Sequence, residues 1–206
     1  MLGSLFHSPL ERLHTAIAAD DVDKVAKRLT KLDAQTLSQP GPNGAHALEL
    51  ALTAEEPRIL VLLLQKAETP LPPASCGTPL SVLALQQRNS LTQLTALLQA
   101  GADANQCHQG QPLLHLCIEH CPPDTLMVHL SRLLQHGADI DRGDAQGRTL
   151  LEKLMPLADQ ALLQFLIQSG AHCEDRWLEQ LADEALALQL KRVCEDLRIR
   201  RMMLGG

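Results

Sequence analysis

Apolar residues recur at helical spacing in short segments along this chain, and dense turn signals separate the segments. In the segment 22–32, for example, the valines and leucines share one face of a helix. The stretch 40–44, Pro-Gly-Pro-Asn-Gly, then marks a sharp break before the next helix. Paired short helices are predicted at about 9–19 and 22–32, 47–53 and 58–66, and 79–87 and 90–100. Two further helix pairs fall within 110–137 and 147–170, followed by helices at 177–190 and on to about 201.

The segments 97–117 and 133–154 share one sequence pattern, which predicts two copies of the same structural unit. Each copy reads as the end of an apolar helix, a Gly-Ala-Asp triplet, a polar turn with a second glycine, and the start of another helix. Gly101, Gly137 and Gly170 stand where a helix ends in a left-handed residue, which glycine reaches without a Cβ clash. The first inward leucine of each unit recurs at intervals of 35, 32, 34 and 37 residues, at Leu13, Leu48, Leu80, Leu114 and Leu151.

A period near 33 residues, with one turn and two helices per unit, is typical of ankyrin repeats, whose motif is Thr-Pro-Leu-His-x-Ala. The chain resembles that family at Thr78-Pro79-Leu80, Leu114-His115, Leu13-His14-x-Ala16, Gly101-Ala102-Asp103 and Gly137-Ala138-Asp139. The resemblance covers about 9–175. It implies an all-α, ankyrin-like helix-turn-helix repeat solenoid of about five units, with degenerate capping repeats.

The same resemblance predicts how the chain is divided into repeats. We predict a single ankyrin-repeat domain over 1–206, with an N-terminal capping repeat at 1–39 and central repeats at 40–175. The segment 176–206 is predicted to form C-terminal capping helices with a basic tail. Thr78 or Thr149 is expected to cap the helix that follows it, since a threonine hydroxyl accepts a hydrogen bond from the first helical turn.

The chain departs from the motif at the histidine position in three of its units. Glu49, Ser81 and Glu152 replace the family histidine. Only His14 and His115 are then left to make the turn-bracing hydrogen bonds that the resemblance implies.

Composition narrows the classes of partner. The net charge is -6, aromatic residues make up 1% of the chain, and a basic tail at 191–206 is set against an acidic remainder. This combination argues against nucleic acid, which favours basic surfaces with stacking groups. The longest aliphatic run, 59–64, is too short to cross a membrane. Six cysteines without a disulfide-framework spacing indicate reduced thiols in a cytoplasm.

A cluster of cysteine and histidine residues is a candidate metal-binding site. Cysteine and imidazole are good zinc ligands, and Cys117, His120 and Cys121 could share one end of a helix. No Cys-x-x-Cys pair is present, however, and buried cysteines with solvated histidines account for the same residues. We therefore predict no metal site, no cofactor and no catalytic residue, with zinc binding at these three residues as the alternative. The full cluster is Cys107, His108, His115, Cys117, His120 and Cys121.

The resemblance implies a non-enzymatic scaffold or adaptor that binds another protein on its concave turn-and-helix face. Roles that fit are a bacterial chaperone, inhibitor or effector. Trp177 is the only tryptophan, and both a binding hot spot and core packing explain it. A monomer, or a weak homodimer through the C-terminal helix, is expected, and self-assembly as the main function is a further alternative. The predicted partner-binding residues are His108, Gln109, Gln111, Glu119, His120, Arg142, Asp144, Gln146 and Arg148.

Overall fold

A computed structural model describes residues 8–204 as a series of short helix pairs. The helices are α1 (Pro9–Ala18), α2 (Val22–Leu29), α3 (Ala34–Leu37), α4 (Ala47–Thr53), α5 (Arg58–Leu64), α6 (Leu80–Leu85), α7 (Ser90–Gln99), α8 (Leu113–His120), α9 (Pro123–Gln135), α10 (Leu150–Leu154), α11 (Gln160–Gln168), α12 (Asp175–Glu179) and α13 (Glu184–Leu204). Two short strands, β1 (Cys107–His108) and β2 (Gln111–Pro112), pair antiparallel, and a 3₁₀ turn spans Met155–Leu157. The predicted all-α solenoid is confirmed. Residues 1–7 and 205–206 of the predicted domain and its end units lie outside the described residues.

The helices form two layers. The first helices of successive units, α1, α4, α6 and α8, pack side by side in one layer. The second helices, α2, α5, α7 and α9, form the other layer in the same order. Each unit therefore buries its apolar face against its neighbours, which is the way a repeat array creates a core that no single unit has. At the far end α13 packs against α11 and α12 and closes the stack.

The third unit joins the two halves of the core. Leu80 and Leu97 belong to the hydrophobic cluster of the N-terminal units. Val82 and Leu94, from the same two helices, belong to the cluster that extends to α13. Because α6 and α7 contribute residues to both clusters, they join the core of the N-terminal units to the core of the C-terminal units.

Local signals in the sequence set most helix ends. Ser8 and Glu11 form a capping box at the start of α1, and Asp21 caps α2 by accepting a hydrogen bond from the Lys24 amide at 2.9 Å. Gly101 and Gly137 have φ of 91° and 83°, the left-handed conformation predicted for a residue that ends a helix. Sequence signals of this kind place the helices before any packing is considered.

Of the two threonine caps predicted, one is confirmed and one is wrong. The Thr149 hydroxyl accepts a hydrogen bond from the Glu152 amide at 3.2 Å and caps α10. Thr78 does not cap α6, because Pro79 occupies the N-cap position. The Thr78 hydroxyl instead accepts a hydrogen bond from the Cys76 thiol at 3.2 Å within the preceding turn.

The C-terminal helices also differ from the prediction. A helix was expected over 177–190, but α12 ends at Glu179 and α13 begins at Glu184. The Asp183 carboxylate accepts hydrogen bonds from the amides of Ala185 and Leu186 at 2.9 and 3.1 Å, so it caps a new helix at this point. No helix within residues 8–204 combines the length and apolar character needed to span a bilayer.

The first unit docks on the second through a ring-on-backbone contact at Gly41. A Cβ at residue 41 would lie 2.1 Å from Cε1 and 2.2 Å from Nδ1 of His14. His14 is buried and cannot move aside freely. We therefore expect Gly41→Ala to lower the free energy of unfolding by about 1–3 kcal/mol, measured by urea denaturation.

The double variant separates this clash from a general backbone effect. In a His14→Ala background the added methyl group has room, so Gly41→Ala should then cost well under half as much. Strictly additive effects of the two substitutions would show that the His14 ring is not what excludes the side chain.

Candidate functional site

A tight hairpin carries three of the predicted binding residues. His108 pairs with Gln111 across β1 and β2, and Gln109 and Gly110 form the two-residue connection. Both connecting residues have positive φ, at 51° and 77°, as in the two-residue turns that match strand twist. Gln109 is exposed at the tip, while His108 and Gln111 are half-buried at its base.

The next turn of the array is built around Asp144. Its carboxylate accepts hydrogen bonds from the amides of Gln146 and Arg148, both at 3.0 Å, and from the Arg148 guanidinium at 3.1 Å. Asp144 is only 8% exposed. Asp144 was predicted to contact a partner, but its buried carboxylate organises the turn. Gln146 and Arg148 remain exposed beside it.

Hydrogen bonds and packing hold the two turns together. The Arg142 guanidinium donates to the Asn105 carbonyl at 2.6 Å, and Nε2 of His115 lies 3.2 Å from the Arg142 carbonyl. His115 thus braces the following turn as the family resemblance implied. Gly110 packs on Ala145 so closely that a Cβ at residue 110 would lie 2.8 Å from the Ala145 Cβ. The hairpin and the Asp144 turn form one fixed surface.

Lys153, on α10, connects this surface to α8, and its role was not predicted from the sequence. Its Nζ lies 3.3 Å from Oε1 of Gln111 and 3.6 Å from Oε1 of Glu119. Lys153 thereby links Gln111, in the strand before α8, to Glu119, near the last residue of α8. A sequence signal existed, because Lys153 follows the unit marker Leu151 by two residues and so falls on the first helix of its unit.

His120 stands apart from the predicted binding residues of the two turns. It is exposed at the last residue of α8, whereas the hairpin precedes the first residue of that helix. The long axis of the helix therefore separates His120 from His108 and Gln111. Seven of the nine predicted residues lie on the hairpin and the Asp144 turn, Glu119 is linked to Gln111 through Lys153, and His120 lies beside Glu119 at the end of α8.

The cysteine cluster is arranged differently from the zinc alternative. Cys117 and Cys121 are buried, but the imidazole beside them belongs to His129 and not to the exposed His120. His129 is fully buried, with Nδ1 at 2.9 Å from the Thr125 carbonyl and Nε2 at 3.0 Å from the Ser90 hydroxyl. Within residues 8–204 no three His, Cys, Asp or Glu side chains are placed to hold a metal ion.

The environment of the Cys121 thiol favours its charged form. The contact with Cys117 lowers the pKa of Cys121 to about 6 against the opposing effect of burial, and His129 adds to the lowering. Burial by itself lowers the pKa of His129, but its contacts with Cys121 and the Thr125 carbonyl outweigh burial and raise it. The contact with Cys121, together with burial, raises the pKa of Cys117. Cys121 is therefore the more acidic thiol of this pair, and the buried His129 imidazole contributes to its acidity.

A cleft of about 640 Å³ adjoins the Asp144 turn, between α10 with its 3₁₀ turn and α12. Met155, Trp177 and Leu181 supply apolar surface to the cleft, and Arg148 and Lys153 supply charge. Trp177 is 7% exposed, so most of the indole is buried while one edge lines the cleft. Apolar surface beside a few fixed polar groups is the usual composition of a binding site.

Burial of His115 makes the stability of the fold depend on pH. Burial, with a smaller effect of Lys153, lowers the pKa of His115 below its ordinary value of 6.5. The unfolded chain then binds this proton more tightly than the folded chain does. The contribution of His115 to stability is therefore complete above pH 6.5 and is lost as the pH falls below that value.

We expect the stability difference between the wild type and His115→Gln to shrink as the pH is lowered from about 7.5 to about 5. Urea denaturation at several pH values measures it. Leu133→Ala is the matched control, because no titrating group is removed and its effect should stay constant. A difference for His115→Gln that is equally constant over this range would contradict the prediction.

Comparison with protein-family models and with curated proteins finds no match to this chain. Among solved structures, the chain is similar to the crystal structure of the ankyrin repeat domain of Bcl-3, described as a unique member of the IkappaB protein family. The TM-score is 0.60 at 22% sequence identity, over 90% of this chain and 81% of that chain. Stacked helix pairs, glycine-terminated helices and turn-bracing His115 agree with this likeness. The chain therefore has the ankyrin-repeat fold.

Proposed function

We propose that this chain is a non-enzymatic scaffold that holds a partner protein on its turn surface. The turn surface is defined as the hairpin 107–112, the turn 141–148 and the adjoining cleft that Trp177 lines. The ankyrin-repeat fold generally mediates protein–protein interaction and is typically a non-enzymatic module. The observation that carries the proposal is the rigid linkage of two neighbouring turns through Arg142, Asn105 and His115.

Rigid linkage matters because binding costs less when the surface is already ordered. The backbone groups and Asp144 hold the turns, which leaves His108, Gln109 and Gln146 available at the surface, while the exposed Arg148 also donates to Asp144. These side chains supply hydrogen-bond donors and acceptors of mixed charge. They suit a polar protein surface, and the acidic chain with few aromatic residues does not suit nucleic acid.

The cleft supplies the apolar part of the interface. Hot spots in protein interfaces are buried apolar or aromatic anchors surrounded by polar contacts that exclude water. A partner that inserts one apolar side chain between Met155 and Trp177, and lays polar backbone across the two turns, would reproduce this arrangement. We place the function in a cytoplasm because the cysteines are free thiols. Within this function, the chain could act as a bacterial chaperone, inhibitor or effector, and identifying the partner would distinguish these roles.

Affinity capture followed by direct binding measurement tests this function. The site variant carries His108→Ala, Gln146→Ala and Arg148→Ala. Its matched control carries His136→Ala, Gln99→Ala and Lys27→Ala, which remove the same kinds of side chain from exposed positions on the second-helix layer. A captured protein is then purified and its dissociation constant measured against the wild type and both variants.

We expect the site variant to bind at least about tenfold more weakly, which corresponds to about 1.4 kcal/mol, and the control to bind as the wild type does. Equal weakening by both variants would reject the turn surface as the site. If no purified protein binds the wild type in solution, the scaffold function itself is rejected.

Self-association through α13 is a second candidate function, and one observation favours it. Leu188, Ile199, Met202 and Met203 are 53%, 46%, 73% and 79% exposed on this helix, beyond what a solvated helix face requires. The mass of the purified protein at micromolar concentration decides the matter. A dimer that Leu188→Glu with Ile199→Glu dissociates supports this function, and a monomeric wild type removes it.

A further inference from the structure

Two thiols lie side by side at the C-terminal end of the array. Cys173 follows α11, and Cys194 lies on the buried face of α13. Each is 7% exposed, both are free, and the two side chains line the same small cavity. The pair connects two elements that are well separated in the sequence. No part of the proposed scaffold function uses these cysteines.

A small cavity opens onto this pair. Its volume is about 70 Å³, and Cys173, Cys194 and Arg198 are among its lining residues. A volume of this size admits a molecule little larger than water and excludes a peptide-sized disulfide reagent. The Arg198 guanidinium, which lines the cavity, also donates to the Asp175 carboxylate at 3.3 Å.

The two thiols have unequal acidities. The hydrogen bond from Cys173 lowers the pKa of Cys194 against the opposing effect of burial, and Arg198 adds to the lowering. The same contact, with burial, raises the pKa of Cys173. When two neighbouring thiols differ in acidity, the more acidic sulfur is the one oxidised first and the other can resolve it.

We propose that Cys173 and Cys194 form a reversible disulfide when hydrogen peroxide enters this cavity. In the first step the Cys194 thiolate attacks one peroxide oxygen. An S–O bond forms, the O–O bond breaks, and the released hydroxide takes a proton to become water. Cys194 is thereby oxidised to a sulfenic acid while the peroxide is reduced.

In the second step the Cys173 sulfur attacks the Cys194 sulfur. The S–S bond forms and the S–O bond breaks, and the leaving hydroxide takes the Cys173 proton to give a second water. Two thiols and one peroxide thus yield one disulfide and two waters. An added dithiol reductant reverses the reaction by thiol–disulfide exchange.

Helical spacing argues against a disulfide between the other buried cysteine pair, Cys117 and Cys121. The Cys121 amide donates to the Cys117 carbonyl at 2.9 Å, so these residues keep the spacing of successive helical turns. Side chains at that spacing have Cβ atoms about 5–6 Å apart, whereas a disulfide needs about 3.5–4.5 Å. Cys121 therefore has no partner with which to close a bond unless α8 unwinds, although its thiolate is the competing site of oxidation.

The disulfide would fasten α13 to the last helix pair. Since α13 also packs against α12, which carries Trp177, the bond restrains the terminal unit that forms one wall of the cleft. The closed loop limits the open states of this end of the chain. We expect amide hydrogen exchange in α13 to slow by at least about tenfold on oxidation.

Peptide mapping of the full chain after peroxide treatment tests the proposal. The wild type should lose two of its six free thiols, yield a Cys173–Cys194 linked peptide, and recover both thiols with dithiothreitol. Cys173→Ser should instead accumulate a sulfenic acid at Cys194 that dimedone traps. Cys194→Ser should give neither product. Cys121→Ser, the matched control, should form the linked peptide as the wild type does.

Three results would overturn the proposal. They are retention of both thiols at Cys173 and Cys194 while Cys121 is oxidised, a Cys117–Cys121 linkage in their place, and an unchanged exchange rate in α13 despite the linked peptide. Circular dichroism of each variant checks folding. Because the wild-type map and the Cys121→Ser map do not depend on the other variants, loss of folding in one serine variant leaves the test intact.

Discussion

Leu133→Ala should lower the free energy of unfolding by about 3 kcal/mol, the largest effect that we predict for a single substitution. Leu133 is fully buried in α9, within the core cluster that extends from the third unit to α13. Removing its side chain takes apolar area out of contact and leaves a cavity between rigid helices, which cannot close around it. Urea denaturation followed by circular dichroism measures the change.

Leu157→Ala is the matched control for this prediction. Leu157 is the same residue type but is 66% exposed in the 3₁₀ turn, so its truncation should change stability by less than about 0.5 kcal/mol. Because units of an array are stabilised by their neighbours, the Leu133 variant should also weaken the units on both sides. Equal effects of the two substitutions would contradict the burial of Leu133 in the core.

Asp144→Ala should lower the free energy of unfolding by about 2 kcal/mol, because hydrogen bonds to a charged acceptor are stronger than neutral ones. The carboxylate accepts from the Gln146 and Arg148 amides and from the Arg148 guanidinium, and these donors have no substitute within the turn. Asp144→Asn keeps one acceptor and should fall between the wild type and the alanine variant. Glu68→Ala, at an exposed acidic residue, is the control and should have little effect.

The Asp144 effect should depend on pH with a definite sign. Burial alone raises the pKa of Asp144, but hydrogen bonds from the Arg148 and Gln146 amides and the Arg148 charge outweigh it and lower the pKa. A carboxyl with a lowered pKa stabilises the fold fully above its ordinary value of 3.8 and loses that contribution as the pH falls further. The difference between the wild type and Asp144→Ala should therefore narrow below pH 3.8. A difference that widens there would contradict the assigned hydrogen bonds.

The repeat and its turns were predictable because their signals are local. A glycine that ends a helix, a cap such as Thr149, and a leucine every 32 to 37 residues each act over a few positions or a fixed interval. The same locality explains the errors. Asp183 starts a new helix within a segment whose apolar pattern alone predicted continuity. The unit boundaries at 39/40 and 175/176 stay predictions.

Side-chain contacts that form only when two helices pack together could not be predicted from the sequence. His129 meets Cys121 only because α9 folds back along α8, and Cys194 meets Cys173 only because α13 returns over α11. Neither pair has a spacing motif, since the contact depends on the register between two helices. The role of Asp144 inside its turn is an intermediate case. An Asp followed by Gly three residues later was visible as a turn, but its burial was not.

Hydrogen–deuterium exchange of the chain with and without its captured partner tests the central claim most directly. If the turn surface holds the partner, amides in 107–112, 141–148 and α12 should exchange more slowly in the complex, while those in α5, α7 and α9 should not change. Protection confined to the second-helix layer or to α13, with the two turns unchanged, would contradict the account.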